Sequence, residues 1–189
     1  MAAQAVSASI GIKAYGSGAE LTADTAIHEI DNMRWMTGEE ITRVRVDPVR
    51  RPRLAHSTLK EPIVLVMYTE SGIRLDDEVN VNLEWSYSIE FEVVLENAAA
   101  RLGNQEGIYV RDGYGNRNAI CRSHIDRFQT AFNIEVQEWI NAVARGEHTG
   151  STSWDGYAAT SVVDAALESQ ASGGIEINVK MIDKPDFYA

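Results

Sequence analysis

I-R-L-D-D-E-V-N-V-N-L, Ile73–Leu83, decides what kind of fold this chain forms. Its odd positions Ile73, Leu75, Val79, Val81 and Leu83 are apolar, with Asp77 the exception. Its even positions Arg74, Asp76, Glu78, Asn80 and Asn82 are polar. Successive side chains leave a strand on opposite faces, so the alternation puts one face on a core and the other toward water or a partner. Upstream, Ile63–Tyr68 is a continuous apolar run, and Glu70-Ser71-Gly72 turns the chain into Ile73. Downstream, Tyr87–Leu95 repeats the pattern, with Ile89, Phe91, Val93 and Leu95 set against Ser88, Glu90 and Glu92. Ala98–Leu102 continues it briefly, and Gly107–Arg111 and Asn118–Arg122 flank the turn D-G-Y-G-N. Hairpins between successive strands require antiparallel pairing. A parallel nucleotide-binding sheet is excluded on this pattern.

Helices and further strands surround the hairpins. Ile41–Val46 alternates as a strand, and residues 1–15, with Val6, Ile10 and Ile12 at even spacing, are an edge-strand candidate. In T-A-D-T-A-I-H-E-I-D-N-M-R-W-M-T-G (Thr22–Gly38), Thr22 or Asp24 suits a helix cap. Ile27, Ile30, Met33 and either Arg34 or Trp35 make the buried stripe, and Gly38 suits the left-handed stop. A second helix, Arg127–Arg145, is expected to bury Phe128, Phe132, Val136, Ile140 and Val143, with Trp139 flanking. A third starts at Ser151 or Ser153 and runs to about Ser172 through Ala158, Val162, Ala165 and Ala166, before a closing strand at Ile175, Ile177 and Val179. The order predicts an α+β fold, a large mostly antiparallel (mixed) open sheet with helices on one face.

At 189 residues, 44% of them hydrophobic and 24% charged, the chain is expected to be one domain with one core. Its 28 acidic against 17 basic residues, net −11, repel a phosphate backbone and argue against nucleic acid as partner. A single cysteine, Cys121, excludes an internal disulfide and a multi-cysteine zinc site. No apolar run reaches the 18–20 residues of a membrane span, and the small-residue start lacks the basic end of a secretory signal. The expected compartment is the cytoplasm.

Chemistry concentrates at Asp24 and His28, four residues apart on one helix face. A carboxylate beside an imidazole fixes the ring's tautomer, and histidine as a class titrates near neutral pH. Such a pair suits a proton acceptor working on an alcohol, but the spacing taken alone is more often a surface ion pair or a helix-start acid near a solvated histidine. Two other motifs fail. Y-G-S-G-A-E-L (15–21) puts Leu21 where a dinucleotide fingerprint needs a small residue. H-E-x-x-H zinc chemistry needs a second histidine where Asn32 stands. His56 falls in a basic, proline-containing loop and is expected to be solvated.

D-T-x-I-H-E-I-D followed by x-x-R-W-x-x-G (24–38) resembles the catalytic helix of the Gfo/Idh/MocA oxidoreductases. S-Y-S-I-E-F-E-V-V (86–94) resembles that family's strand following a substrate-reaching tyrosine. F-N-I-E-V-Q-E-W-I-N-A-V-A-R-G (132–146) and S-W-D-G-Y-A-A (153–159) are similar to the inositol 2-dehydrogenases among them. The resemblance covers the chain from about Leu21 onward and implies the family's second domain, like that of glyceraldehyde-3-phosphate dehydrogenases, over 21–189, with 1–20 as an N-terminal segment. It implies His28 as proton acceptor or donor at the reacting hydroxyl, and Asp24 orienting His28 or binding a neighbouring hydroxyl. Tyr87 would line the pocket, with strand-edge packing as the equal alternative. Trp154 and Asp155 are read as a helix-start packing and capping pair. Lys60-Glu61-Pro62 carries in the wrong order the family's E-K-P lysine motif, which belongs to the first domain, and is read as coincidence.

NAD or NADP and the catalytic lysine come, in the family, from a Rossmann domain that these residues do not contain. The chain alone is therefore expected not to bind the cofactor or oxidise polyols. The first reading is the substrate-binding and oligomerisation domain of an inositol 2-dehydrogenase-like enzyme, self-associating through its open sheet face and completed by a separate NAD-binding chain. The alternative is a non-catalytic self-associating or sugar/polyol-binding module. A third is a fragment of a longer gene.

Overall fold

A computed structural model describes residues 3–11, 21–53, 61–81, 87–103, 109–118, 121 and 123–188. Its strands are β1 (Ala3–Gly11), β2 (Ile41–Asp47), β3 (Ile63–Thr69), β4 (Arg74–Asn80), β5 (Ser88–Leu95), β6 (Ala99–Leu102), β7 (Tyr109–Asp112), β8 (Gly115–Asn118) and β9 (Ile177–Asn178). A π-helical turn, Leu21–Ala26, runs into α1 (Ile27–Thr37); α2 (His124–Arg145) and α3 (Ser153–Ala171) follow. Seven strands form one sheet in the order β6-β5-β1-β4-β3-β2-β9, while β7 and β8 pair as a separate hairpin. Among the described residues only the β1–β4 pairing is parallel, so the sheet is mixed and mostly antiparallel, with the α+β class expected from the alternation.

One expectation about the sheet is corrected. β1, read as an edge strand, is interior: it pairs with β4 on one side and β5 on the other. Consecutive strands β4 and β5 therefore run in opposite directions without touching, and no hairpin joins them. Small residues gave the N-terminal stretch a weak strand signal, and alternation carries no information about neighbour order. The last hairpin is also tighter than expected, turning at Gly113-Tyr114 between Asp112 and Gly115. His56, Lys60 and Leu83 lie outside the described residues.

The core forms where the alternation says it should. Val44, Val46, Ile63, Leu65, Met67, Leu75, Val79 and Phe91 pack against Ile30 and Met33 of α1 and Val162, Val163 and Ala166 of α3. Each large aliphatic buried this way contributes roughly 1.5–3 kcal/mol. α1 and α3 pack on each other and on the same sheet face, while the opposite face presents the polar β4 positions Arg74, Asp76 and Glu78. Ser169 of α3 pins that layer to the sheet, its Oγ accepting from the Val46 amide (3.0 Å) and donating to the Ile175 carbonyl (2.6 Å). No helix among the described residues is long and apolar enough to cross a membrane.

The choice between Arg34 and Trp35 resolves to the arginine: Arg34 is buried and Trp35 is 81% exposed. A buried cation needs partners. Arg34 donates to Glu40 (2.6 and 2.8 Å) and Asp31 (2.9 Å), and meets Asp155 at 3.4 Å. Burial alone would lower the guanidinium's pKa, but the hydrogen bond and charge of Glu40, with Asp155 and Asp31, raise it. Arg34→Met leaves three carboxylates facing one another and is expected to cost about 2–3 kcal/mol, discounted because those partners are a third exposed. Urea unfolding reads this directly; an unchanged midpoint would show the cluster to be idle.

The caps differ from expectation. Thr22 and Asp24 do not cap α1, because the chain is already helical from Leu21 and Ala26 precedes the α-helix without a side-chain bond. α3 starts at Thr152, whose amide and hydroxyl both donate to Asp155 Oδ2 at 2.7 Å. Gly38 ends α1 as expected, at φ 70° with its amide on the Arg34 carbonyl.

The largest departure is α2. Ser123 caps it and Gly146 stops it, yet its buried residues are Arg127 and Ala142. Phe132, Val136, Ile140 and Val143, expected in the core, are 39–58% exposed, and Trp139 is 60% exposed. Apolar periodicity establishes that a helix has a face to bury; it does not say which surface covers that face.

Candidate functional site

Asp24 and His28 are both exposed, one in the π-helical turn and the other in the first turn of α1. Four residues apart in one continuous helical run, they leave on the same side. Asn32 and Trp35 extend that solvent-facing strip. A single π-turn widens the helix locally and is found disproportionately at functional sites. Hydrophobic spacing carries no mark of it, so sequence reasoning missed the turn.

Tyr87 stands just before β5 and is buried, 8% exposed. Its ring lies 6.0 Å from His124 and edge-on to Phe128 at 6.3 Å. Burial raises its phenol pKa, the nearby Glu29 adds to the rise, and Arg127 opposes it. Arg127 ties α2 to this corner by donating to the carbonyls of Ile89 (2.9 Å) and Gly103 (3.2 Å).

Behind the exposed pair lies chemistry the sequence reading did not single out. Glu29, next to His28, turns about 100° inward and is 1% exposed, with Oε2 unpartnered. Asp77, the exception in the alternation of Ile73–Leu83, is 1% exposed on β4 with both oxygens unpartnered. Burial pushes Glu29 up to about 9, the neighbouring Asp77 adds to the shift, and a bond with its own backbone opposes it. Burial likewise holds Asp77 well above the usual carboxylate range, with Glu78 adding. At about 9, Glu29 carries its proton at neutral pH. Asp77's odd position was the available signal, since a charge in register with core residues must be paired, protonated or functional.

An open cleft of about 820 Å³ at the C-terminal half of α1 is lined by Asp31, Arg34, Trp35, Trp154 and Lys184 among others. Its buried charge is satisfied internally, and the Trp154 indole donates to Glu40 at 2.9 Å. Trp154 and Asp155 thus serve packing and capping, as their sequence position suggested. Among the described residues no group of three or more His, Cys, Asp or Glu side chains converges on a metal position.

Dinucleotides bind at the carboxyl ends of parallel strands, over a glycine-rich turn and a helix N-terminus. The one parallel pair here, β1 with β4, is flanked by antiparallel strands on both sides. The described residues do not fit NAD(P).

A family model described as "Oxidoreductase family, C-terminal alpha/beta domain" matches residues 13–180. Inositol 2-dehydrogenase of Ralstonia nicotianae is 39% identical over 165 residues, 87% of this chain and 49% of that protein. Inositol 2-dehydrogenase 3 of Saccharopolyspora erythraea is 38% identical, with 87% and 48% covered. The chain spans about half the length of the curated relatives it matches. Among solved structures, myo-inositol dehydrogenase from Lactobacillus casei, in complex with NAD(H) and myo-inositol, matches with TM-score 0.91 and 30% identity, covering 100% of this chain and 57% of that one. Scyllo-inositol dehydrogenase from the same organism, with NAD(H) and scyllo-inositol bound, matches at TM-score 0.82 over 94% of this chain and 57% of its own; at 22% identity it speaks for the fold alone.

Proposed function

The chain belongs to the Gfo/Idh/MocA oxidoreductase family, whose C-terminal α/β domain it matches, and from that premise we propose that it is the substrate-binding and oligomerisation half of an inositol 2-dehydrogenase-like enzyme of the cytoplasm. One observation carries the reading: Asp24 in the π-helical turn and His28 in the first turn of α1 stand exposed on one continuous helical run, in a fold that matches at TM-score 0.91 a relative holding NAD(H) and myo-inositol. His28 accepts the proton of the reacting hydroxyl, and Asp24 orients the ring or binds the adjacent hydroxyl. Tyr87, whose phenol feels the charge of Glu29 next to His28, lines the pocket with its ring against His124 and Phe128. The hydride acceptor, NAD or NADP, belongs to a nucleotide-binding half outside these residues, and without it the chain is inactive. A second copy covers the open sheet face, where Arg74, Asp76, Glu78, Glu90 and Glu92 offer charges of both signs.

The test is a two-half protein, in which the unmatched remainder of the Ralstonia nicotianae relative is joined ahead of this chain. It is expected to reduce NAD in the presence of myo-inositol, while the chain alone does not. A two-half protein that is folded and binds NAD but is inert toward every inositol and sugar tried would sink the proposal, as would a robust rate from the chain by itself.

A further inference from the structure

The roles given to Asp24, His28 and Tyr87 leave two buried acids without one. Glu29 points inward from α1, and Asp77 stands on the core face of β4 between Leu75 and Val79. α1 lies over that strand, because Ile30 and Met33 share one apolar cluster with Leu75 and Val79. Glu29 Oε2 and both Asp77 oxygens have no partner among the described residues, so the two carboxyls do not hydrogen-bond each other. They are nevertheless neighbours: Glu29 feels the charge of Asp77, and Tyr87 feels that of Glu29.

Buried polar atoms are nearly always paired, with protein or with ordered water. Two carboxyls beyond bonding reach but within each other's field offer what one enclosed water needs, a donor on one side and acceptors on the other. Burial holds Glu29 at about 9, so it has a proton to donate at neutral pH. Resting on the reading of Tyr87 as pocket wall, we propose that Glu29 is a positioning residue for the reaction, bridged to Asp77 by one enclosed water and holding Tyr87 in place. Glu29 and His28 share α1, so the tie keeps the helix that carries the proton acceptor in register with the wall that carries Tyr87. A pocket wall misplaced by about 1 Å costs on the order of 100-fold in rate. A cation is the poorer occupant, because it needs both acids charged and burial opposes that charge on each. The tie supplies rigidity rather than stability, since apolar contact in place of a buried polar group is neutral or better.

Crystal structures of the two-half protein and its Glu29→Leu variant test this without reference to activity. One ordered water within hydrogen-bond reach of Glu29 Oε2 and an Asp77 oxygen is expected. In Glu29→Leu that water is gone and Tyr87 has shifted against His124 and Phe128. A dry gap, a direct bond between the carboxyls or a cation at that place overturns the bridge, and an unmoved Tyr87 overturns the positioning role. In rate measurements, Glu29→Leu is expected to lower kcat/KM for myo-inositol at least tenfold without lowering the urea midpoint, an opposition that a merely structural role does not produce. Glu29→Gln, whose amide still donates to the water, is expected to stay within threefold of wild type. A leucine variant as fast as wild type, or a glutamine variant as slow as the leucine, overturns the proposal and leaves His28 as proton acceptor standing. An inert two-half protein that shows the water and the Tyr87 shift sinks the catalytic reading and leaves the bridge standing.

Discussion

His28→Ala in the two-half protein is expected to lower inositol-dependent NAD reduction between about 100- and 10,000-fold, the range general-base catalysis supplies. The loss falls on kcat and kcat/KM together, because the proton moves only as the transition state forms. An imidazole within reach of a hydroxyl does more than bind it; with alanine there, the hydroxyl proton has only water to go to. Folding does not confound the result. His28 is exposed, so its truncation changes stability by less than about 0.5 kcal/mol, and alanine is the better helix former. Asp24→Asn, exposed as well, keeps the shape and removes the charge, and a smaller loss is expected because its proposed role is to orient the ring or bind the adjacent hydroxyl rather than to accept the proton. Retention of the rate within about threefold in His28→Ala would move the proton acceptor elsewhere and leave the pair as solvated surface.

What the sequence disclosed follows from what each pattern physically encodes. Period-two alternation is dictated by side-chain geometry, so β2 to β5 and their inward faces were legible from Ile41 to Leu95. Strand order was not: the insertion of β1 between β4 and β5 depends on a long-range pairing that leaves no local mark. Helix ends were legible from the glycines Gly38 and Gly146, whereas the caps at the helix starts were not. The burial of α3 was legible as well, because Ala158, Val162, Ala165 and Ala166 are small enough to lie close against a sheet. α2 carries the cleaner amphipathic pattern of the two, and its face is nevertheless uncovered. The same arithmetic describes a helix packed inside its own domain and one awaiting a neighbour. At the site, the outward pair was readable from spacing and resemblance, whereas the inward pair, Glu29 and Asp77, required knowing that α1 lies over β4.

That inward pair sets the second large effect. Asp77→Val together with Glu29→Gln is expected to raise stability at pH 8 by about 2–4 kcal/mol and to flatten its dependence on pH. The sign follows from proton binding. Glu29 has a folded-state pKa of about 9 against 4.5 as its ordinary value, and Asp77 is shifted the same way. Between those limits the folded chain holds more protons than the unfolded one. For Glu29 that stability is therefore fully present below about pH 4.5 and is lost as pH rises toward 9, at up to about 1.4 kcal/mol per pH unit, and Asp77 acts in the same direction. Urea unfolding at pH 5, 6.5 and 8 measures the slope. Valine continues the apolar series of Leu75 and Val79 on β4, so the replacement adds core contact while removing two unpartnered oxygens. If wild type and variant share one slope, the carboxyls are not protonated in the fold; if the variant is weaker at pH 8, hidden partners hold them. The same variant in the two-half protein separates stability from chemistry. A chain that tolerates two buried acids behind its proposed proton acceptor retains an unfavourable feature where function is expected to justify it. The stabilised variant should therefore lose turnover, by tenfold or more, while His28 remains in place.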